Sequence, residues 1–219
     1  QAIDDPFDYV FIAVKSYDTE WAAMLMRRYL KPEGAYVDFQ NGINDYRLAE
    51  TIGAENALGC VITIAAGCYE PGIVLRTDTN PLAYKIGEQD GSDTPRAREL
   101  VEIISSVSEG TYSTDNLWGE RWSKLSQNSM GNPVAAASGM GIADLNKHAR
   151  GRELQIRLAQ ECAEVGLALG HKVENFGGRP VGEWAGASKG DVFEVLDAAL
   201  AENISGANWR PSMAQDTAK

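Results

Sequence analysis

The order of elements in the first quarter of the chain most constrains its fold. Asp8-Tyr9-Val10-Phe11-Ile12-Ala13-Val14-Lys15 is a continuous apolar run entered and left on charges. Such a run reads as a parallel strand buried on both faces. Asp18 or Thr19 is placed to cap a helix reaching about Leu30, with Trp21, Met24, Leu25 and Leu30 at helical spacing and Pro32-Glu33-Gly34 to end it. A second short strand over residues 35–39 runs into Gln40-Asn41-Gly42, and a helix follows from about Asn44 to Ile52. Strand, helix, strand, helix with short connections predicts part of a doubly wound α/β sheet.

The rhythm then changes. Residues 58–66, 73–76 and 82–86 read as strands separated by Pro71-Gly72 and Asn80-Pro81, which predicts an antiparallel extension of the sheet. A helix over about 94–107 follows, with Pro95 in its first turn. After Tyr112 strand signals nearly vanish, and residues 116–138, 153–169 and 191–203 read as helices. The expected organisation is an α/β domain over 1–113 followed by an all-α domain over 114–219.

Composition narrows the function classes. The 219 residues carry 20 Lys and Arg against 31 Asp and Glu, a formal net charge of −11. Acidity of this size disfavours nucleic acid and anionic membrane surfaces as partners. No apolar run approaches the roughly 18–20 residues that span a bilayer. The acidic start Gln1-Ala2-Ile3-Asp4-Asp5 lacks a signal-peptide layout. Cys60, Cys68 and Cys162 are few, odd in number and outside metal-ligand spacing, so a cytoplasmic protein without a metal site is expected, with Cys60 and Cys68 as small core residues. The chain opens on Gln rather than Met and stops at Lys219 without punctuation, so both ends read as cut.

The residues that can carry chemistry cluster on one predicted helix. Lys124, Asn128 and Asn132 lie four residues apart and drift only about 40° per step, so they share a face. A partly buried Lys has a depressed pKa and can protonate a developing alkoxide, while amides orient the oxygen. The same spacing also fits a solvated Lys beside amides that only bond the backbone. Lys15-Ser16 and Asn41-Gly42 each end a predicted strand, where open α/β sheets bind ligands, although Asn-Gly equally favours a plain turn. Gly139-Met140-Gly141 follows a helix and lacks a third glycine, so no dinucleotide-binding glycine fingerprint is present. His148 and His171 lack ligand-spaced partners, and no GxSxG nucleophile pattern occurs.

Taken together, Val14-Lys15-Ser16-Tyr17-Asp18-Thr19, Gln40-Asn41-Gly42, Glu120-Arg121-Trp122-Ser123-Lys124-Leu125 with Asn128 and Asn132-Pro133, and Ser212-Met213-Ala214-Gln215-Asp216 resemble the ketopantoate reductase (2-dehydropantoate 2-reductase) family in order and approximate spacing. The resemblance implies a partial Rossmann-type NADPH-binding domain followed by a helical domain of the 6-phosphogluconate dehydrogenase-like kind, with substrate between them. It implies Lys124 as general acid, Asn128 and Ser212 as substrate-binding, Asn41 at the junction of cofactor and substrate, Lys15 beside the cofactor, and a mainly structural Asn132. The implied reaction is NADPH-dependent reduction of a 2-oxo acid, most simply 2-dehydropantoate to pantoate in pantothenate biosynthesis. The partner is then a small-molecule 2-oxo acid, and apolar faces of the helical domain could support a homodimer. The family's glycine-rich loop and one substrate-binding Glu have no counterpart between Gln1 and Lys219, so little turnover is expected of these 219 residues alone. A non-catalytic binding protein derived from the fold and a related hydroxyacid dehydrogenase are the alternatives.

Overall fold

In the computed structural model, described for residues 5–76, 83–204 and 208–217, a mostly parallel sheet is followed by helices. The Asn80-Pro81 turn, Leu82 and the two chain ends read above lie outside these residues. The sheet strands are β1 (Phe7–Ile12), β2 (Leu30–Asp38), β3 (Ala57–Thr63), β6 (Ala83–Glu88) and β7 (Tyr112–Ser113), in the order β1-β2-β3-β6-β7. β1, β2 and β3 run parallel, and β6 pairs antiparallel with β3, as expected from the change of rhythm. β4 (Ala66–Glu70) and β5 (Ile73–Arg76) do not extend that sheet but form a separate two-stranded one.

Helices cover both faces of the sheet because β2 is apolar at every position from Ala35 to Val37. Ala35 and Val37 join Leu58, Cys60 and Ile86 against Ala97, Leu100 and Ile104 of α3 (Pro95–Ser105). Tyr36 points the other way, with Val10 and Ile12, toward Ala22 and Ala23 of α1 (Thr19–Met26) and Leu48 of α2 (Asp45–Ile52). Successive strand residues alternate faces, so the continuous apolar run of β2 feeds two cores. α3 starts as predicted: Thr94 accepts the Ala97 N–H at 3.3 Å, and Pro95 occupies the first turn.

Four further departures from the sequence reading concern β1, α1 and β2. α1 ends at Met26, a 3-10 turn over Arg27–Tyr29 follows, and Leu30 already begins β2. Pro32 and Gly34 therefore lie within a strand. They are accommodated because the β1–β2 register jumps from Phe7↔Leu30 to Tyr9↔Ala35, an irregularity that frees the intervening residues from the ladder. Trp21, Met24 and Leu25 are 65%, 52% and 49% exposed, and Ala22 and Ala23 face the sheet instead, since small side chains let the helix approach closely. β1 is buried on one face only: Val10 and Ile12 are covered, whereas Phe11 is exposed beside Phe39. Finally, neither Asp18 nor Thr19 caps α1 through its side chain.

The chain divides into two compact units, residues 1–120 and 121–219, and the division falls inside α4 (Leu117–Ser138). In the first unit, Gly59 is needed where it stands. A Cβ there would strike the buried side chain of Leu117 and come within 2.8 Å of Asp45 Oδ1. The second unit holds the rest of α4 with α5 (Ile142–Lys147), α6 (Ala149–Ala168), α7 (Val181–Ala185), α8 (Val192–Glu202) and α9 (Ser212–Asp216). Its core gathers Met130, Ile156, Ala159, Ala163, Phe176, Trp184 and Leu196. Trp184 stacks on Phe176 at 5.3 Å and donates its indole N–H to the Phe176 carbonyl at 3.0 Å.

Candidate functional site

Candidate residues of the first unit meet at the carboxyl ends of β1 and β2. Ile12 and Asp38 are register partners, and the Phe39 N–H donates to the Ile12 carbonyl at 2.9 Å, so the two strands leave the sheet together. Lys15 and Asn41 each lie three residues beyond that pair and are exposed. Gly42 follows at φ +91°, a conformation suited to glycine, and the Asn44 side-chain amide lies 3.7 Å from where a Cβ would stand. An exposed cation, an exposed amide and a bare backbone at adjacent parallel strand ends suit an anionic, hydroxyl-bearing group such as a dinucleotide. Arg47 adds a second cation, its guanidinium donating to the Ser16 carbonyl at 2.9 Å.

The second unit carries the other candidates. α4 is a 22-residue helix, and Lys124, Asn128 and Asn132 are half-buried along one side of it. Its serines bond within the helix or to neighbouring loops. Ser126 donates to the Trp122 carbonyl at 2.8 Å, Ser138 to Val134 at 2.7 Å, and Ser123 to Asn175 at 3.2 Å. α9 docks on the second half of α4, because Ala214 shares a buried cluster with Val134, Ala135 and Leu145. Ser212, the first residue of α9, is exposed. Gly139 ends α4 at φ +69°, and Gly141 stands in extended backbone as the residue that precedes α5.

The sequence reading did not single out a partly buried ionic cluster at the start of α4. Lys85 of β6 lies 2.5 Å from Glu120, and Tyr112 donates to the other oxygen of the same carboxylate at 3.3 Å. Burial by itself would lower the Lys85 ammonium, but the hydrogen bond and charge of Glu120 outweigh it and hold the pKa above its usual value. Tyr112 is likewise raised, chiefly by burial and then by the Glu120 charge. Only Glu120, as part of the Glu120–Leu125 motif, carried a signal in the sequence. Cys60 is a core residue as expected, but Cys68 is exposed on the β4–β5 pair. His171 stacks with Trp122, with ring centroids 6.0 Å apart.

A parallel sheet with Rossmann-like strand order, followed by a helical unit, places the chain in the class of two-part Rossmann-type folds. The family model described as "Ketopantoate reductase PanE/ApbA" matches residues 1–91, and the model for that family's C terminal part matches residues 116–219. The chain belongs to the ketopantoate reductase family. It is 22% identical over 191 residues to 2-dehydropantoate 2-reductase of Archaeoglobus fulgidus, covering 87% of this chain and 63% of that protein. The crystal structure of 2-dehydropantoate 2-reductase from Geobacter metallireducens superposes with a TM-score of 0.80 at 23% identity, covering 98% of this chain and 65% of that one. A complex of D-mandelate dehydrogenase with NADH gives a TM-score of 0.73 at 18% identity, covering 95% of this chain and 65% of that one. The chain thus spans under two thirds of the length of each of these proteins.

Proposed function

We propose that this chain carries the substrate-reducing part of an NADPH-dependent 2-dehydropantoate 2-reductase, with residues 1–113 as the partial cofactor domain and 114–219 as the substrate domain. The observation that carries the reading is the placement of Lys124 and Asn128 half-buried on one side of α4, in a family of ketopantoate reductases. A bound nicotinamide supplies the hydride that reduces the keto carbon. Lys124 donates a proton to the carbonyl oxygen as charge develops there, and the Asn128 amide holds that oxygen by a hydrogen bond. Ser212 binds the carboxylate or hydroxyl end of the substrate through its hydroxyl. Lys15 and Asn41 would hold the cofactor at the strand ends, Asn41 is assigned to the substrate as well, and Asn132 would be structural.

No helix among the described residues is long and apolar enough to cross a membrane. The three free cysteines support a reducing, cytoplasmic setting, and exposed Leu154 and Val165 on α6 support a homodimer. The NADH complex of D-mandelate dehydrogenase favours a second reading, a hydroxyacid dehydrogenase that takes a bulkier aromatic 2-oxo acid.

The deciding experiment follows NADPH oxidation by a protein that joins these 219 residues to the family's glycine-rich loop and substrate-binding Glu, with 2-dehydropantoate and with a panel of aliphatic and aromatic 2-oxo acids. The reading expects 2-dehydropantoate to be preferred, and Lys124→Ala to lower kcat by about 10²–10⁴ while NADPH binding is retained. Preference for an aromatic 2-oxo acid would move the assignment to the second reading. A protein that binds ligands but reduces none of the panel would instead be a non-catalytic member of the fold.

A further inference from the structure

Lys15 and Asn41 are exposed and stand in separate loops, yet a site built on both requires a fixed separation. The side chain that spans the two loops is Gln40. Its Nε2 donates to the Val14 carbonyl at 2.6 Å, on one side of Lys15. Its Oε1 accepts from the Thr19 hydroxyl at 2.9 Å, and that hydroxyl also lies 2.9 Å from the Ser16 carbonyl, on the other side of Lys15. The Val14 carbonyl can only accept, which fixes the amide with nitrogen toward β1 and oxygen toward Thr19. One hydroxyl proton is then shared between Gln40 and Ser16. The backbone N–H of Gln40 donates to Asp38 Oδ1 at 2.8 Å, and the Asp18 N–H closes on the Lys15 carbonyl at 2.9 Å.

The Thr19–Gln40 bond is shielded from water, since Thr19 is 0% and Gln40 only 7% exposed, and the bonds to the Val14 and Ser16 carbonyls are partly buried. Shielded hydrogen bonds are directional and hard to replace. Gln40 is also the residue directly before Asn41, so one residue reaches the Lys15 turn through its side chain and Asn41 through its backbone. We propose that Gln40, braced by Thr19, is a positioning residue that locks the Lys15 turn to Asn41 and thereby sets the geometry of the cofactor end of the site. The inference rests on the assignment of Lys15 and Asn41 to the cofactor made above. Asn would be too short to span the gap, and Glu would set a carboxylate against the Val14 carbonyl.

The test uses Gln40→Met, which keeps the length and loses both bonds, and Thr19→Val, which removes only the shared donor. Amide hydrogen exchange in the cofactor-free protein reads the lock directly. Exchange across residues 14–19, with Asp18 as reporter, should quicken about tenfold in Gln40→Met while Cys60 and Val61 in β3 stay unchanged. NADPH titration reads the consequence: binding should weaken about tenfold in Gln40→Met and about threefold in Thr19→Val. In a Lys15→Ala/Asn41→Ala background, Gln40→Met should add less than about twofold, because its effect passes through those two residues.

Equal loss in both backgrounds, or unchanged exchange at residues 14–19, overturns the proposal. If Lys15→Ala and Asn41→Ala weaken NADPH binding but Gln40→Met does not, the positioning role alone fails. If those two variants bind NADPH like the parent, the cofactor assignment fails and the proposal with it. Should Gln40→Met not fold, Thr19→Val decides by the same two readouts.

Discussion

Replacing Arg96 by Met strands a buried carboxylate, and the structure sets the size of the effect. Glu88, at the end of β6, is 5% exposed. Arg96 grips it in a two-pronged contact, Nε to Oε1 at 2.7 Å and an Nη to Oε2 at 2.6 Å, and Thr94 donates to Oε1 at 2.6 Å. A third donor of Arg96 reaches the Glu55 carbonyl, so one guanidinium ties the approach to β3, the end of β6 and the first turn of α3. Glu88 holds the Arg96 pKa above its usual value, chiefly through its hydrogen bonds. Breaking a buried pair by removing one partner costs about 3–5 kcal/mol, because the remaining charge lacks both water and counter-ion. The Arg96 side chain is 25% exposed, so water reaches part of the gap and the lower end, ~3 kcal/mol, is expected.

With a urea slope of about 2–3 kcal/mol/M, the midpoint of the first unit should fall by about 1 M in Arg96→Met. Hydrogen exchange of peptides from β3 and β6 during the titration isolates that unit from residues 121–219. The double variant Arg96→Met/Glu88→Gln should recover part of the loss, since an amide can be buried more cheaply than an ion. A midpoint shift below about 0.2 M would refute the reasoning.

Gly59→Ala should cost about 2 kcal/mol through overpacking, because Leu117 is only 1% exposed and cannot swing aside; a melting temperature within about a degree of the parent's would contradict this. Tyr9 donates toward the Arg96 carbonyl at 3.0 Å and Glu99 at 2.8 Å, and burial, then Glu99, raise its pKa well above the usual value. The unfolded chain therefore releases this proton first, near pH ~10, and the stability it contributes is full below that point and declines above it. Tyr9→Phe should flatten the alkaline decline in urea midpoints, and matching slopes in the two proteins would count against the assignment. Trp184→Ala in the second unit should cost about 3–5 kcal/mol, since a 2% exposed ring and its hydrogen bond are both lost; calorimetry of the unfolding transition checks it.

Periodicity and local chemistry were sufficient where a signal repeats along the chain. The apolar runs of β1, β2 and β3, the Thr94-Pro95 start of α3 and the long Lys/Asn helix were all legible, because each depends on neighbours within a few residues. α5, α7 and α9 escaped the reading, being five or six residues long and held by packing rather than by their own pattern. Local chemistry also misassigned Thr19, whose hydroxyl turns away from a cap because Gln40, twenty-one residues later, offers it a buried partner.

The sequence by itself therefore determined the alternation that makes a Rossmann-type sheet, the helical second half, and the face that carries Lys124 and Asn128. Only the tertiary structure decided which side of α1 meets the sheet, that β4 and β5 pair apart from it, and that Gln40 ties the Lys15 turn to Asn41. The physical reason is range. Helix faces and strand alternation repeat every few residues, whereas the ties between Gln40 and Val14, Arg96 and Glu88, and Lys85 and Glu120 form only after distant segments have been brought together.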